Sequence, residues 1–277
     1  MILYTFIDSL DDLEVLNKEL LLKSNVGVDT EFRRTTKDNM RLALLQINDG
    51  EEIYLVDAIV IEDPKEHCSF LYSQSVVKIF HSCKEDLEAV YSWTKEIMVN
   101  IFDTQLANSF LDGSYSIGYQ GLVNKKLGID LDKNETRSNW IRRPLSDSQL
   151  KYAALDVEYL INLYEDQKLE LLQSNKLGWL NEDIERLIYF TFNRSEEIEE
   201  PKRIVSKAEE NSLLNEMNEF VEDIARKENI NPTLFFSKKA QKDFLRLVLV
   251  LGIDEACKQI TSWRKGLIRD DLFDLLK

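Results

Sequence analysis

Five side chains could carry chemistry together: Asp29 and Glu31 in Val-Gly-Val-Asp-Thr-Glu-Phe, Asp86 in Phe-His-Ser-Cys-Lys-Glu-Asp-Leu-Glu, and Tyr152 with Asp156 in Tyr-Ala-Ala-Leu-Asp-Val. Four carboxylates gathered from one strand and two helices could hold two divalent cations. Two such ions about 3.5–4 Å apart can activate a water and stabilise a leaving oxygen, which is chemistry that cleaves phosphodiesters. In a strand, residues 29 and 31 project to one face and Thr30 to the other. Two acids on one face of a strand that otherwise runs Val26-Gly27-Val28 are unfavourable unless solvent or a cation meets them. Tyr152 and Asp156 stand four apart, so on a helix they share a stripe with Gln149 and Tyr159. A tyrosine there could hydrogen-bond an attacking water, or pack at the helix edge. Spacing alone does not assemble the set. With 50 Asp and Glu in 277 residues, acid-x-acid arises by chance roughly nine times, and nothing local brings Asp86 to either pair.

The elements that must position these groups are readable. Residues 4–7 read as a short strand, and Ser9 as a helix N-cap with Asp12 three residues on and Leu13, Leu16 and Leu20 at helical spacing. Residues 25–32 alternate as a strand ending in acids. Apolar strands at 42–47 and 53–56 flank the turn Asn48-Asp49-Gly50, which predicts an antiparallel hairpin. Strand and helix then alternate: a strand at 76–80 into a helix at 84–93, a strand at 101–104 entering a helix near Asp103, and helices at 118–127 and 147–166. Hairpin strands followed by βα units predict a mixed sheet flanked by helices. No strand is expected beyond Leu180. Residues 194–201, polar and ending in Pro201, read as a linker. Helices are expected around 213–225, 238–251, 254–263 and 270–276, with Asn231-Pro232 as a helix start.

A chain of 277 residues accommodates one large domain and a small one. No apolar run approaches the roughly 18–20 residues of a membrane span. The first residues lack the basic region and cleavage site of a signal peptide, so a cytoplasmic location with no membrane partner is expected. Cys68, Cys83 and Cys257, an odd number, suit free thiols. His67, Cys68, His81 and Cys83 lie close in sequence but do not follow the spacing of paired zinc ligands. The net charge of −15 argues against a nucleic-acid partner, which needs Lys and Arg at the phosphates. The balance is uneven, however: residues 201–277 carry 14 basic and 13 acidic side chains, whereas residues 1–200 carry 21 and 37. Bound cations would offset some of that acidity, although a solvated acidic surface accounts for most of it.

Asp-Thr-Glu-Phe at 29–32, Phe-His-Ser-Cys-Lys-Glu-Asp-Leu-Glu at 80–88 and Tyr-Ala-Ala-Leu-Asp-Val at 152–157 resemble, in order, the three exonuclease motifs of the ribonuclease D family. The intervening run extends the likeness through Phe-Asp-Thr-Gln at 102–105, Gly-Tyr-Gln-Gly-Leu-Val at 118–123 and Leu-Asp-Lys at 131–133. It continues through Ser-Asn-Trp at 138–140, Arg-Pro-Leu at 143–145 and Gln-Leu-Lys-Tyr-Ala at 149–153. The resemblance covers about residues 25–165 and is to the DEDD exonucleases whose third motif contains tyrosine. It implies an α/β RNase H-like exonuclease domain over residues 1–172, a helical connection and linker over 173–205, and a small all-α domain over 206–277. That last domain is similar to the HRDC module shared with RecQ-type helicases, through Asn231-Pro-Thr-Leu-Phe-Phe-Ser-Lys-Lys and Ser262-Trp-Arg-Lys. Asn139 stands where the family usually has Asp, and only one helical module fits where the family has two; the second departure bears on RNA affinity and substrate range.

The resemblance also implies roles. Asp29, Glu31 and Asp156 would ligate metal directly, and Asp86 would hold a second ion, through water. Tyr152 would orient the attacking water and assist its deprotonation. The ions would be Mg²⁺ or Mn²⁺, with no small-molecule cofactor. The implied activity is 3′→5′ exoribonuclease release of 5′-mononucleotides by a monomer, with transfer RNA precursors as substrates. A DNA exonuclease of the same superfamily and an inactive RNA-binding module are the alternatives. Around the site, His81 suits either packing or a base. Arg33, Arg34, Arg142 and Arg143 suit either phosphate contacts or surface charge, and Tyr115 and Tyr119 either base stacking or packing.

Overall fold

Local chemistry fixes the first elements. Ser9 accepts a hydrogen bond from the Asp12 amide at 3.2 Å and starts helix α1, Leu10–Leu20, whose Leu13, Leu16 and Leu20 are buried. Strand β1, Thr5–Ile7, precedes it, and β2, Asn25–Thr36, β3, Asn39–Asn48, and β4, Ile53–Asp57, follow. The expected hairpin forms between β3 and β4, where the Asn48 and Asp49 side chains accept from the amides of Gly50, Glu51 and Glu52. The βα units follow as β5, Val77–Phe80, α2, Lys84–Thr94, β6, Ile101–Asp103, α3, Thr104–Leu111, and α4, Tyr119–Leu127. The computed structural model describes residues 2–36, 39–111, 115–131, 138–193 and 206–268. The linker read at 194–201, residues 132–133 of the Leu-Asp-Lys motif and the helix read at 270–276 lie outside the described residues.

The six strands make one mixed sheet in the order β1-β4-β3-β2-β5-β6. Strand β3 runs antiparallel to β2 and β4, while β1–β4, β2–β5 and β5–β6 pair in parallel. Val26, Val28, Leu45, Ile47 and Val56 fill one face. On the other, Gly27, Asp29 and Glu31 of β2 stand opposite Asn48, Gln46 and Leu44 of β3. A helix covers that second face closely. A Cβ added at Gly27 would lie 3.1 Å from the Leu160 Cβ and 3.4 Å from the Val157 carbonyl oxygen.

The single helix expected over 147–166 is two: α5, Asp147–Glu158, and α6, Leu160–Gln173, broken at Tyr159. Asn48 takes the Val157 and Glu158 carbonyls, each at 3.0 Å, and the Tyr159 amide donates to the Tyr119 hydroxyl. Those tertiary bonds claim backbone groups at the break.

The chain divides into two compact units, residues 1–106 with 117–169 and residues 107–116 with 170–277. In the second, α7, Leu177–Phe192, joins α8, Lys207–Glu228, α9, Pro232–Phe236, α10, Lys238–Leu251, α11, Ile253–Ala256, and α12, Ser262–Ile268. The helical connection expected over 173–205 includes α7, which packs as a helix of this unit. Its Trp179 stacks on Trp263 with ring centroids 4.9 Å apart, and its Asp183 pairs with Arg264. The expected helix over 254–263 is interrupted by a 3-10 turn at Cys257–Gln259. It restarts at Ser262 because the Glu182 carboxylate accepts from the Ser262 and Trp263 amides.

Candidate active site

Asp29 and Glu31 lie on one face of β2, and Asn48, directly opposite Gly27 on that face, binds the end of α5. Helix α5 therefore covers the acids' side of the sheet, and it carries Tyr152 and Asp156. Ser146 and Gln149 form a reciprocal capping box that starts α5, so the register of the two residues is set at the helix entrance. Asp86 comes from the first turn of α2. Thr30, which sequence reasoning read only as pointing away from the acids, is what holds it: its hydroxyl donates to the Asp86 carboxylate at 2.5 Å.

The four acids thus come together, and they raise one another's pKa. Burial and the charges of Asp86, Asp156 and Glu31 push Asp29 well above the ordinary carboxyl value. Burial and the charges of Asp156 and Asp86 push Glu31 up to about 9. Asp86 is raised by burial to about 7, against the Thr30 hydrogen bond. Asp156 is also raised by burial to about 7, against a hydrogen bond from the Tyr152 hydroxyl. Burial and the charges of Asp156 and Glu31 raise Tyr152. Its hydroxyl therefore keeps its proton and acts as a donor.

Asp29, Glu31, Tyr152 and Asp156 are half-buried and Asp86 is buried. Among the described residues no three His, Cys, Asp or Glu side chains stand in finished ligand geometry. The acids are electrostatically coupled without forming a closed coordination shell. Their chemistry nevertheless fits a hard divalent cation, since the donors are carboxylate oxygens. Burial and mutual repulsion raise these pKa values, and a bound cation would offset both.

Around them stand positioning groups that the sequence left ambiguous or concealed. The buried Asp103 accepts from the Ser82 and Cys83 amides at 3.1 and 2.8 Å, and from Gln105 and Leu106 at 2.9 and 3.0 Å. One carboxylate thereby caps α3 and fixes the turn into α2. The only signal available for it was its place ahead of a helix start. His81 has both ring nitrogens engaged, by the Thr104 hydroxyl at 2.9 Å and the Ile117 carbonyl at 3.0 Å, which makes it a packing residue. Tyr119 is likewise committed, donating to the Leu155 carbonyl and accepting from the Tyr159 amide.

Arg143 is internal. It binds Asp57 through two nitrogens at 2.5 and 2.6 Å, and also the Ala43 and Trp140 carbonyls. Arg34 pairs with Glu88 and Glu85. Arg33, Arg142 and Tyr115 are exposed. Trp140 sits 6.2 Å from the Tyr152 ring, centroid to centroid, which gives the Ser-Asn-Trp run a place beside the site.

A family model described as 3′-5′ exonuclease matches residues 4–172. Ribonuclease D of Shewanella sp. (strain ANA-3) is 39% identical over 160 residues, covering 58% of this chain and 41% of that protein. The crystal structure of Escherichia coli RNase D, an exoribonuclease involved in structured RNA processing, superposes with a TM-score of 0.66 at 23% identity. It covers 99% of this chain and 74% of that one. Brucella melitensis NrnC with bound Mg²⁺ superposes with a TM-score of 0.58 at 21% identity, over 72% of this chain and 98% of that one. The two structural likenesses carry the fold, while the family match carries the assignment. With residues 4–172 matched of 277, the chain belongs to the 3′-5′ exonuclease family.

Proposed function

We propose that this chain is a ribonuclease D-like 3′→5′ exoribonuclease. It removes 5′-mononucleotides from RNA 3′ ends, as a cytoplasmic monomer acting on transfer RNA precursors. The observation that carries the reading is the convergence of Asp29 and Glu31, on one face of β2, with Tyr152 and Asp156 of the covering α5 and with Asp86 held by Thr30, inside the segment matched to the family. In this reading Asp29, Glu31 and Asp156 hold one divalent cation, and Asp86, steadied by Thr30, holds a second through water. Mg²⁺ or Mn²⁺, when bound, stabilises the charge that develops on the attacking and departing oxygens. Tyr152 orients the attacking water; held as a protonated donor, it is better suited to orientation than to proton abstraction. Residues 1–172 form the exonuclease domain, 173–205 a connection in which α7 packs with the following helices, and 206–277 an HRDC-like domain.

The decisive experiment is mononucleotide release from a transfer RNA precursor with a 3′ extension, compared in Mg²⁺, Mn²⁺ and EDTA and against a matched DNA strand. Release that needs a divalent ion and prefers RNA supports the reading; preferential DNA degradation overturns the substrate. Tyr152→Phe is expected to slow turnover about 10- to 100-fold, the effect of removing an outer partner of a metal site, while Mn²⁺ affinity is retained. Unchanged kinetics would make the hydroxyl dispensable.

The same acids impose a pH dependence. A carboxyl raised on folding stays protonated where the unfolded chain, with pKa near 4, has ionised. The metal-free protein therefore loses this contribution as pH rises from about 4 through the folded values of about 7 for Asp86 and Asp156 and about 9 for Glu31. Cation binding must displace those protons. The gain in melting temperature on adding Mn²⁺ is thus expected to be larger at about pH 8 than at about pH 6. Equal gains in thermal melts at both pH values would contradict it.

A further inference from the structure

Gln46 occupies the middle of the face that carries the acids. On that face β2 presents Gly27, Asp29 and Glu31, β3 presents Asn48, Gln46 and Leu44, and β4 presents Ile53, Leu55 and Asp57, paired row by row across the strands. Gln46 lies directly opposite Asp29 on one side and Leu55 on the other. Side chains so paired have their Cβ atoms about 4.5–5.5 Å apart.

The Gln46 side chain is fully buried, and both its Nε2 and its Oε1 lack a hydrogen-bond partner among the described residues. An unpartnered buried amide is unfavourable, and in a native protein such a group calls for a physical reason. Its neighbours limit the choice of partner. Leu44 and Leu55 are apolar. Asn48 already donates to two carbonyls and accepts from Gly50, and Asp57 is bound by Arg143. Among its neighbours in the sheet, the remaining acceptor is the carboxylate of Asp29.

We propose that Gln46 is a positioning residue whose side-chain amide holds the Asp29 carboxylate when a divalent cation occupies the site. Asp29 has two carboxylate oxygens; with one given to a cation, the other would remain for a donor, and Gln46 is the side chain paired with Asp29 on β3. A neutral donor suits the place, because a lysine or arginine there would compete with the cation. An orienting partner behind a metal ligand is a common requirement of such sites.

The inference rests on the metal-binding reading of the acids, and the test separates the two. Mn²⁺ affinity is measured by titration calorimetry on the full chain for wild type, Gln46→Leu and Asp29→Asn, together with metal-free melting temperatures. Gln46→Leu is expected to melt at the same or a higher temperature without metal and to bind Mn²⁺ about 10- to 100-fold more weakly. Asp29→Asn is expected to lose binding. If Asp29→Asn binds like wild type, the reading of the site fails. If Asp29→Asn loses binding while Gln46→Leu keeps the wild-type affinity, Gln46 has no positioning role and only this inference falls. Should Gln46→Leu fold poorly, the Gln46 side-chain amide resonance of ¹⁵N-labelled wild type decides. It must shift on addition of Mg²⁺, and an unmoved resonance overturns the proposal.

Discussion

Asp29→Asn and Asp156→Asn are each expected to cut mononucleotide release by more than about 1,000-fold, while the metal-free proteins melt no lower than wild type. The size follows from position: changing an outer partner of a metal ligand costs ~10–100-fold, and a direct ligand exceeds that. The unusual half of the expectation is stability. Asp29 is raised first by burial and then by the charges of Asp86, Asp156 and Glu31. An isosteric amide removes the charge and its repulsion and keeps the shape. Loss of fold in both variants, seen in thermal melts, would mean that the acids are structural. Full activity would mean that the site lies elsewhere. Loss of activity with retained or raised melting temperature is the signature of groups placed for function at the expense of stability.

Arg143→Leu is expected to destabilise its unit by ~3–5 kcal/mol, as breaking one side of a buried ion pair does. That corresponds to a drop in melting temperature of roughly 6–20 °C. The Asp57 side chain is 3% exposed and that of Arg143 is 21% exposed, so removing the guanidinium strands a buried carboxylate. The Ala43 and Trp140 carbonyls lose their donor as well. Trp140 packs beside Tyr152, so turnover should fall along with stability. The double variant Arg143→Leu with Asp57→Leu is expected to recover much of the loss, because a stranded charge is worse than none. A loss under about 1 kcal/mol for the single variant would place this pair with ordinary surface ion pairs.

The two arginine readings illustrate the limit of a linear sequence. Arg143 and Arg33 look alike as exposed basic residues near a motif, yet one is bonded across three separate segments and the other is exposed. No periodicity separates them, because the partners of Arg143 at positions 43 and 57 are 100 and 86 residues away. Thr30 was legible as the residue on the far side of its strand, but its bond to Asp86 spans 56 residues. His81, which the sequence left between base and packing group, was settled by Thr104 and Ile117. The break at Tyr159 was hidden because the helical stripe continues through it, and only Asn48 and Tyr119 reveal it.

The sequence by itself determined the strands and most helices, the hairpin at Asn48-Asp49-Gly50, and the shared faces of Asp29 with Glu31 and of Tyr152 with Asp156. Those are consequences of periods of two and 3.6 residues and of turn chemistry, which act over a few residues. The tertiary structure decided the convergence. It carried Asp86 to Thr30, laid α5 over β2 at a glycine, and set Gln46 beside Asp29. Each of these depends on strand order and helix packing, in which residues distant along the chain become neighbours because burying both faces of one sheet requires it.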